Sequence, residues 1–216
     1  MFSTYFTAAR GGIDLRLGFY GSGILDPGWY FSTFSDKGRG KSRRYLCQSL
    51  DQLMALPVGE LFLDDAAVAL WLTQYAIAKG WHRDVFHAWG FEPQTTGSWK
   101  KLTARGLPFF GLGKILRSCA EFYVIGTRGH PSPQSHSVRN FIEAPWRGES
   151  VKPDELHQDV EALYSGPYVE LFARRPYPNW DCWGGDLING RDETSQSGEP
   201  GSASRPLIRS GPGRAA

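Results

Sequence analysis

The chain has 216 residues, of which 41% are hydrophobic and 21% are charged, and its formal net charge is +2. These values are ordinary for one soluble globular domain with its own hydrophobic core, and the small net charge by itself implies no polyanionic partner. No run of about 18 apolar residues occurs, so we expect no membrane span. The first residues, MFSTYFTAARGG, lack a basic start followed by an apolar block, so we expect no secretory signal.

The three cysteines, Cys47, Cys119 and Cys182, are scattered along the chain and include no CxxC pair. Their odd number and their spacing argue against a disulfide framework and against a zinc site, and they fit a reducing cytoplasm. The histidines form no metal-ligand set with them. We therefore expect a cytoplasmic protein that needs no metal.

Apolar runs and stretches of helical spacing alternate along the chain. A short strand ends at 24–25, directly before the turn-forming DPG, and a helix with Ser49 as its N-cap follows at 49–56. The continuous apolar run AAVALWLT at 66–73 is typical of a buried strand. Further predicted elements are a helix at 76–89, a strand at 121–127, a helix at 153–163 and a strand at 168–173. This alternation predicts an α/β fold with a mostly parallel sheet and helices on both faces.

The residues from 189 to 216 are rich in Gly, Ser, Pro and Arg and contain few large apolar side chains. We predict that this tail is disordered, which leaves residues 1–188 as one folded domain. Ligands of open α/β sheets bind at the carboxyl ends of the strands, so the residues that follow the strands are the first candidates for a site.

The segment ILDPGW at 24–29 places an acidic and an aromatic residue directly after a strand. One chemistry that suits such residues is methylation of the amine of adenine. This amine is a poor nucleophile because its lone pair is delocalised into the ring, so a catalyst must hold it in line with a methyl donor. The Asp26 carboxylate and the Pro27 carbonyl can accept hydrogen bonds from such an amine, and Trp29 can stack on the base. Taken alone, these six residues fit an ordinary strand that ends in a Pro-Gly turn better.

Several segments, in order along the chain, match the motifs of one known protein family. They are DPGWYFSTFSDKGRGKSRRY at 26–45, SLDQLMALPV at 49–58, FHAWGF at 86–91, GLGKILRSCAEFYVIGTRG at 111–129, KPDELHQDVEAL at 152–163 and YVELFARRPYPNWDCWG at 168–184. With them the chain resembles the DPPW-type N6-adenine methyltransferase family, which includes the catalytic subunit of the eukaryotic mRNA adenosine methyltransferase and compact bacterial and phage DNA enzymes. The resemblance implies the Rossmann-like fold of methyltransferases that use S-adenosylmethionine (SAM), with the motifs in permuted order.

The resemblance also implies roles by position. Asp26, Pro27, Gly28 and Trp29 match the catalytic motif, with Gly28 in place of the family's second proline. A glycine keeps the backbone carbonyl but loses the restriction that proline places on φ. The residues that the resemblance assigns to SAM binding are Asp14, Leu15, Asp26, Lys152, Arg174, Asn179 and Asp186.

A basic stretch follows the catalytic motif and consists of Lys37, Arg39, Lys41, Arg43 and Arg44, with Tyr45 at its end. A solvated loop is the usual fate of such a run, but its position beside a predicted base pocket favours contact with phosphates. Tyr45 fits packing against a flipped base and packing into the core equally well. A duplex substrate would have to extrude its adenine to reach Asp26.

We therefore expect transfer of a methyl group from SAM to the N6 amine of adenine, in DNA rather than RNA, in a bacterial or phage-infected cell. The alternatives are a catalytically impaired pseudo-methyltransferase that binds nucleic acid or a partner, methylation of RNA adenine, and methylation of the cytosine N4 amine. The short chain offers no room for a large target-recognition domain, so we expect specificity to be loose or to come from a protein partner.

Overall fold

The computed structural model describes residues 5–30, 47–111, 115–148 and 151–188. The basic stretch at 37–45 and the tail at 189–216 lie outside these residues. The division into a folded domain and a disordered tail stays a prediction for the same reason.

One seven-stranded sheet forms the centre of the described structure. Its strands are β1 (Tyr20–Leu25), β2 (Phe62–Leu72), β3 (Glu92–Leu102), β4 (Ala120–Arg128), β5 (Phe141–Pro145), β6 (Tyr168–Leu171) and β7 (Trp180–Trp183). Their order across the sheet is β5-β3-β4-β2-β1-β6-β7. Only β4 runs antiparallel to its two neighbours, β2 and β3, and all other pairs are parallel. The prediction of a mostly parallel α/β sheet is confirmed.

Helices cover both faces of this sheet. They are α1 (Ala8–Gly11), α2 (Leu50–Met54), α3 (Gln74–Lys79), α4 (Trp81–Ala88), α5 (Glu155–Leu163) and α6 (Gly185–Ile188), with a 3-10 turn at Val58–Leu61. Side chains of α2, α3 and α4 belong to one buried apolar cluster, and side chains of α5 belong to a second. No helix among the described residues is both long enough and apolar enough to cross a bilayer.

Strand β2 explains why the sequence shows a continuous apolar run. Val68 and Leu70 point into the first cluster, whereas Ala69 and Trp71 point into the second, as the alternation of side chains along a strand requires. Because both faces of the strand are covered, every position in its second half is buried.

The local predictions miss strands β3, β5 and β7 and helices α1 and α6, and they join two helices into one. The single helix predicted at 76–89 is two helices, because Gly80 adopts a left-handed conformation with φ 73° that ends α3. Strand β3 was not predicted, because its first five residues are exposed and polar in pattern. The predicted N-cap is confirmed: the Ser49 hydroxyl accepts from the Gln52 N–H, and the Gln52 side chain accepts from the Ser49 N–H.

Candidate active site

The candidate site lies at the edge of the sheet where its parallel strands end, which is where ligands of α/β sheets bind. Asp26 follows β1 directly, and its backbone N–H donates a hydrogen bond of 3.3 Å to the carbonyl of Leu171, the last residue of β6. Arg174 follows the end of β6, and Lys152 stands shortly before α5. The fold therefore brings together three residues that lie far apart in the sequence.

Asp26 and Lys152 form a largely buried ion pair. The Lys152 Nζ lies 2.8 Å from Oδ2 of Asp26, and the side chains are 15% and 11% exposed, respectively. The indole ring of Trp71 also approaches the ammonium, with 5.5 Å from Nζ to the ring centroid, within the range of a cation–π contact. Oδ1 of Asp26 accepts a hydrogen bond from no residue that the structure describes. One carboxylate oxygen is thus held in place and the other is left as an acceptor.

Two further residues, Lys101 and Glu121, extend this ion pair across the sheet. Oε2 of Glu121 lies 3.3 Å from Nζ of Lys152, and Oε1 of Glu121 lies 2.5 Å from Nζ of Lys101. The four side chains form a row of alternating charges, Lys101–Glu121–Lys152–Asp26, which we call the charge chain. Sequence reasoning missed Lys101 and Glu121, because they lie 20 residues apart on different strands and only the register of β3 and β4 brings them together.

Burial and neighbouring charges shift the pKa values of Glu121 and Lys152 in the charge chain in opposite directions. Burial by itself would raise the pKa of the Glu121 carboxyl, but the ammonium groups of Lys152 and Lys101 lower it below its ordinary value. Burial by itself would lower the pKa of Lys152, but Asp26 and Glu121 raise it. The positive charge of the Arg174 guanidinium acts against that rise in the pKa of Lys152. Glu121 and Lys152 therefore both stay charged at neutral pH.

Arg174 and Asp186 form a second ion pair at the same edge. Nη1 of Arg174 lies 3.6 Å from Oδ2 of Asp186, which belongs to α6 directly after β7. Four of the residues predicted for SAM binding therefore form two ion pairs at the same edge of the sheet.

Asp14 and Leu15 lie on the flank of this group. Oδ1 of Asp14 accepts a hydrogen bond of 2.7 Å from the N–H of Ala8 at the start of α1, and Leu15 packs partly against the first apolar cluster. The other end of α1 reaches the end of β7, where the Gly184 N–H donates to the Gly11 carbonyl at 3.2 Å. In the structure the Asp14 carboxylate caps a helix, and its predicted contact with SAM stays a prediction.

Asn179 does not lie at this edge, so the structure does not bring it together with the other residues predicted for SAM binding, and its role at the cofactor stays a prediction. It directly precedes Trp180, the first residue of β7, which pairs with Tyr168, the first residue of β6. Since these strands end at the site, Asn179 lies at the opposite edge, a full strand length from Asp26. Its side chain is exposed, and its left-handed backbone, with φ 65°, marks the turn that leads into β7.

Trp29 also differs from expectation, because its ring is buried. Its indole Nε1 donates a hydrogen bond of 3.0 Å to the Trp71 carbonyl, and its ring packs on Trp81 with centroids 6.4 Å apart and planes inclined by 29°. In this arrangement Trp29 fastens the segment after β1 to the end of β2 and offers no open face to a base. The next residue, Tyr30, has an aromatic side chain that is open to solvent, with the residue 56% exposed.

Backbone hydrogen bonds arrange the two residues between Asp26 and Trp29. The Gly28 carbonyl accepts from the Gln48 N–H at 2.7 Å, while the Pro27 carbonyl accepts from no described residue. Gly28 does not adopt a positive φ, so its backbone is not in the conformation that only glycine takes readily. The acceptor that the predicted chemistry needs, the Pro27 carbonyl, is therefore kept despite the departure from DPPW.

The ends of the segment that carries the basic stretch are fixed beside the motif. The Tyr30 N–H donates to the Gln48 carbonyl at 2.9 Å, which pairs the chain before residue 31 with the chain after residue 46. Lys37, Arg39, Lys41, Arg43, Arg44 and Tyr45 lie between these two points in the sequence. Their contact with nucleic acid stays a prediction. Within the described ranges, no group of three or more His, Cys, Asp or Glu side chains is placed to hold a metal ion.

The chain is similar in sequence to several known proteins. It is 28% identical to an uncharacterised protein of Schizosaccharomyces pombe over 74% of this chain and 40% of that protein. It is 25% identical to the type II methyltransferase M.MunI of Mycoplasma sp, over 81% of this chain and 80% of that enzyme. It is 24% identical to the human N(6)-adenine-specific methyltransferase METTL4, over 76% of this chain and 37% of that protein. The chain thus spans less than half the length of the yeast and human relatives.

The family comparison agrees with the resemblance that the motifs suggested. The MT-A70 family matches residues 20–186, a stretch that begins at β1 and ends at Asp186 in α6. It includes every strand of the sheet, the whole charge chain and both ion pairs at the candidate site. The chain therefore belongs to the MT-A70 family, and its sheet is the fold of the SAM-dependent methyltransferases.

Proposed function

We propose that this chain transfers the methyl group of SAM to the N6 amine of adenine in DNA. The observation that carries the proposal is the buried pair of Asp26 and Lys152, which leaves Oδ1 of Asp26 and the Pro27 carbonyl as neighbouring acceptors. Membership of the MT-A70 family supports methylation of an adenine amine. Of the three relatives described, M.MunI is the one whose length the chain covers most fully, and we infer DNA as the polymer on that ground.

The charged residues at the sheet edge fit the amino-acid end of SAM, which carries a carboxylate and an ammonium group. A lysine ammonium has three N–H donors, and Lys152 uses two on Asp26 and Glu121, so one remains for a carboxylate. Arg174 adds a second cation, and Asp186 adds an anion suited to the ammonium group. When bound, SAM supplies a methyl group activated by its sulfonium.

Asp26 and Pro27 act on the amine. Oδ1 of Asp26 accepts one N–H and the Pro27 carbonyl accepts the other, which turns the nitrogen lone pair out of the ring and toward the methyl carbon. Methylation would place positive charge on the amine nitrogen, and the Asp26 carboxylate would stabilise that charge. The surplus proton then leaves the nitrogen for this carboxylate and is released to water. Tyr30, as the exposed aromatic next to the motif, is the side chain suited to stack on the base.

The test is mass spectrometry of nucleosides after incubation of the protein with unmethylated DNA, unmethylated RNA and SAM that carries a deuterated methyl group. We expect labelled N6-methyladenine from DNA. Label found only in RNA would show that RNA and not DNA is the substrate. Label on cytosine would show that the enzyme methylates cytosine and not adenine. Binding of SAM without any labelled nucleoside would reject the proposal for the isolated chain and favour the pseudo-methyltransferase.

Asp26→Asn keeps the shape of the side chain but removes the acceptor charge and the proton acceptor. We expect the rate of methyl transfer to fall by about 100-fold or more, which is the usual contribution of a general base. Asp64→Asn, on an exposed carboxylate of β2, is the matched control and should leave the rate unchanged. Thermal unfolding of both variants checks that the fold is intact, and a fully active Asp26→Asn protein would show that the chemistry lies elsewhere.

Glu121→Gln removes the carboxylate that separates two buried ammonium groups, so the free energy of unfolding should fall at neutral pH. Because folding lowers the pKa of Glu121, its stabilising contribution is fully present above the ordinary value of 4.5 and is lost as the pH falls through the lowered value. Urea unfolding at a series of pH values should therefore show a difference from wild type that shrinks below pH 4.5. The exposed Glu92→Gln serves as control, and a difference independent of pH would contradict this account.

Gly28→Pro restores the family motif. We expect a folded and active protein, because Gly28 lacks a positive φ and its N–H donates no hydrogen bond to the described residues, so the proline ring displaces no donor in use. The initial rate of methyl transfer measures the effect. A rise of about tenfold or more would show that Gly28 impairs the natural chain and would support the pseudo-methyltransferase alternative.

A further inference from the structure

The connection between β3 and β4, residues 103–119, presents apolar side chains that the proposed chemistry does not use. We call it the β3–β4 loop, and its residues 112–114 lie outside the described ranges. Leu107, Phe110, Ile115 and Leu116 are exposed by 62%, 79%, 89% and 74%. Single exposed apolar residues are normal on proteins, but several on one loop mark a surface that contacts something else.

The strand directions place this loop at the catalytic edge. Strand β3 ends where β1 ends, and β4, which runs the opposite way, begins there. The loop leaves β3 two residues after Lys101 and returns two residues before Glu121. Both of these belong to the charge chain that holds Asp26. Whatever contacts the loop is therefore next to the site.

The base of the loop is held by hydrogen bonds and by a ring contact. The Phe109 N–H donates to the Lys101 carbonyl at 2.9 Å, and the Gly111 N–H donates to the Ser118 carbonyl at 2.9 Å. The Phe109 ring stacks on Trp146, which follows β5, with centroids 4.6 Å apart. The exposed side chains thus stand on a fixed base.

The charges of the loop have one sign. No Asp or Glu occurs between residues 100 and 120. Arg105 and Arg117 are exposed, and neither forms an ion pair with any residue that the structure describes. Free guanidinium groups beside exposed aromatic and aliphatic side chains complement a polyanion whose apolar bases lie between its phosphates.

We propose that the described parts of the β3–β4 loop, residues 103–111 and 115–119, form a nucleic-acid contact surface, in which Arg105 and Arg117 contact phosphates and Phe110 inserts beside the target adenine. The inference rests on the proposed function, because it supplies the substrate of that site. An adenine in a duplex must leave the base stack before it can reach Asp26. An apolar side chain that enters the vacated space offsets part of the stacking that is lost.

Two variants and two duplexes test the proposal. The first probe is a short fluorescein-labelled duplex that contains the adenine methylated in plasmid DNA, and the second has an abasic site opposite that adenine. Phe110→Ala should slow methylation of the paired duplex by roughly tenfold, the usual effect of losing one base–aromatic stack. The abasic duplex, whose adenine is already unpaired, should restore most of the rate. Leu63→Ala, at the opposite edge of the sheet, is the matched control.

The arginines are tested by binding, which needs no methyl transfer. Fluorescence anisotropy with a labelled duplex of arbitrary sequence should show weaker binding by Arg105→Gln/Arg117→Gln. The slope of log Kd against log salt should fall by about 1.8, at about 0.9 for each lost phosphate contact. Arg83→Gln, on the exposed surface of α4, should change neither value.

The outcomes separate the inference from the proposed function. If the wild-type protein methylates DNA and all loop variants keep its rate and its affinity, the inference is overturned and the proposed function stands. Absence of methylation together with weaker binding by the double arginine variant would overturn the function and support the loop as a nucleic-acid surface. Unchanged DNA binding with an altered molar mass by light scattering in Phe110→Ala would identify a protein interface and overturn the inference.

Discussion

The structure depends on the burial of one ammonium group, that of Lys152, between two carboxylates, one directly after β1 and the other in β4. Removing a charge from water is costly unless partners replace the lost solvation, so the position of this lysine requires both Asp26 and Glu121. Asp26 follows β1 and Glu121 belongs to β4, and β2 lies between these strands. The order of the sheet is therefore what sets the distance across which the lysine makes its two contacts.

Trp71 of β2 completes this arrangement from the middle strand. Its ring lies near the Lys152 ammonium, and its carbonyl accepts the hydrogen bond from the indole of Trp29. One residue thus contacts both the cation that orients Asp26 and the tryptophan that follows Asp26 in the motif. The tryptophan of the motif contributes by fixing the backbone on which the acceptors stand, so its burial is consistent with an active site.

The sequence predicted the parts of the molecule that local patterns determine. The buried strand at 66–73 and the N-cap at Ser49 follow from apolar periodicity and from side-chain chemistry, and Asp26 and Lys152, which the motif resemblance assigned to one site, are in contact. Lys101 and Glu121 escaped prediction because an ion pair across strands depends on register, which composition does not reveal. Asn179 lies at the other edge because it precedes β7, and the sequence alone does not reveal the direction of that strand in the sheet.

The reversed direction of β4 has a consequence for how this fold diversifies. Parallel neighbours need a crossover that packs on the sheet, whereas antiparallel neighbours such as β3 and β4 need none. The β3–β4 loop can gain or lose residues without disturbing the core, although both of its ends are tied to charged residues of the site. Insertions there would alter what reaches the catalytic edge while sparing the sheet, which makes this connection the natural place for related chains to evolve different substrate preferences.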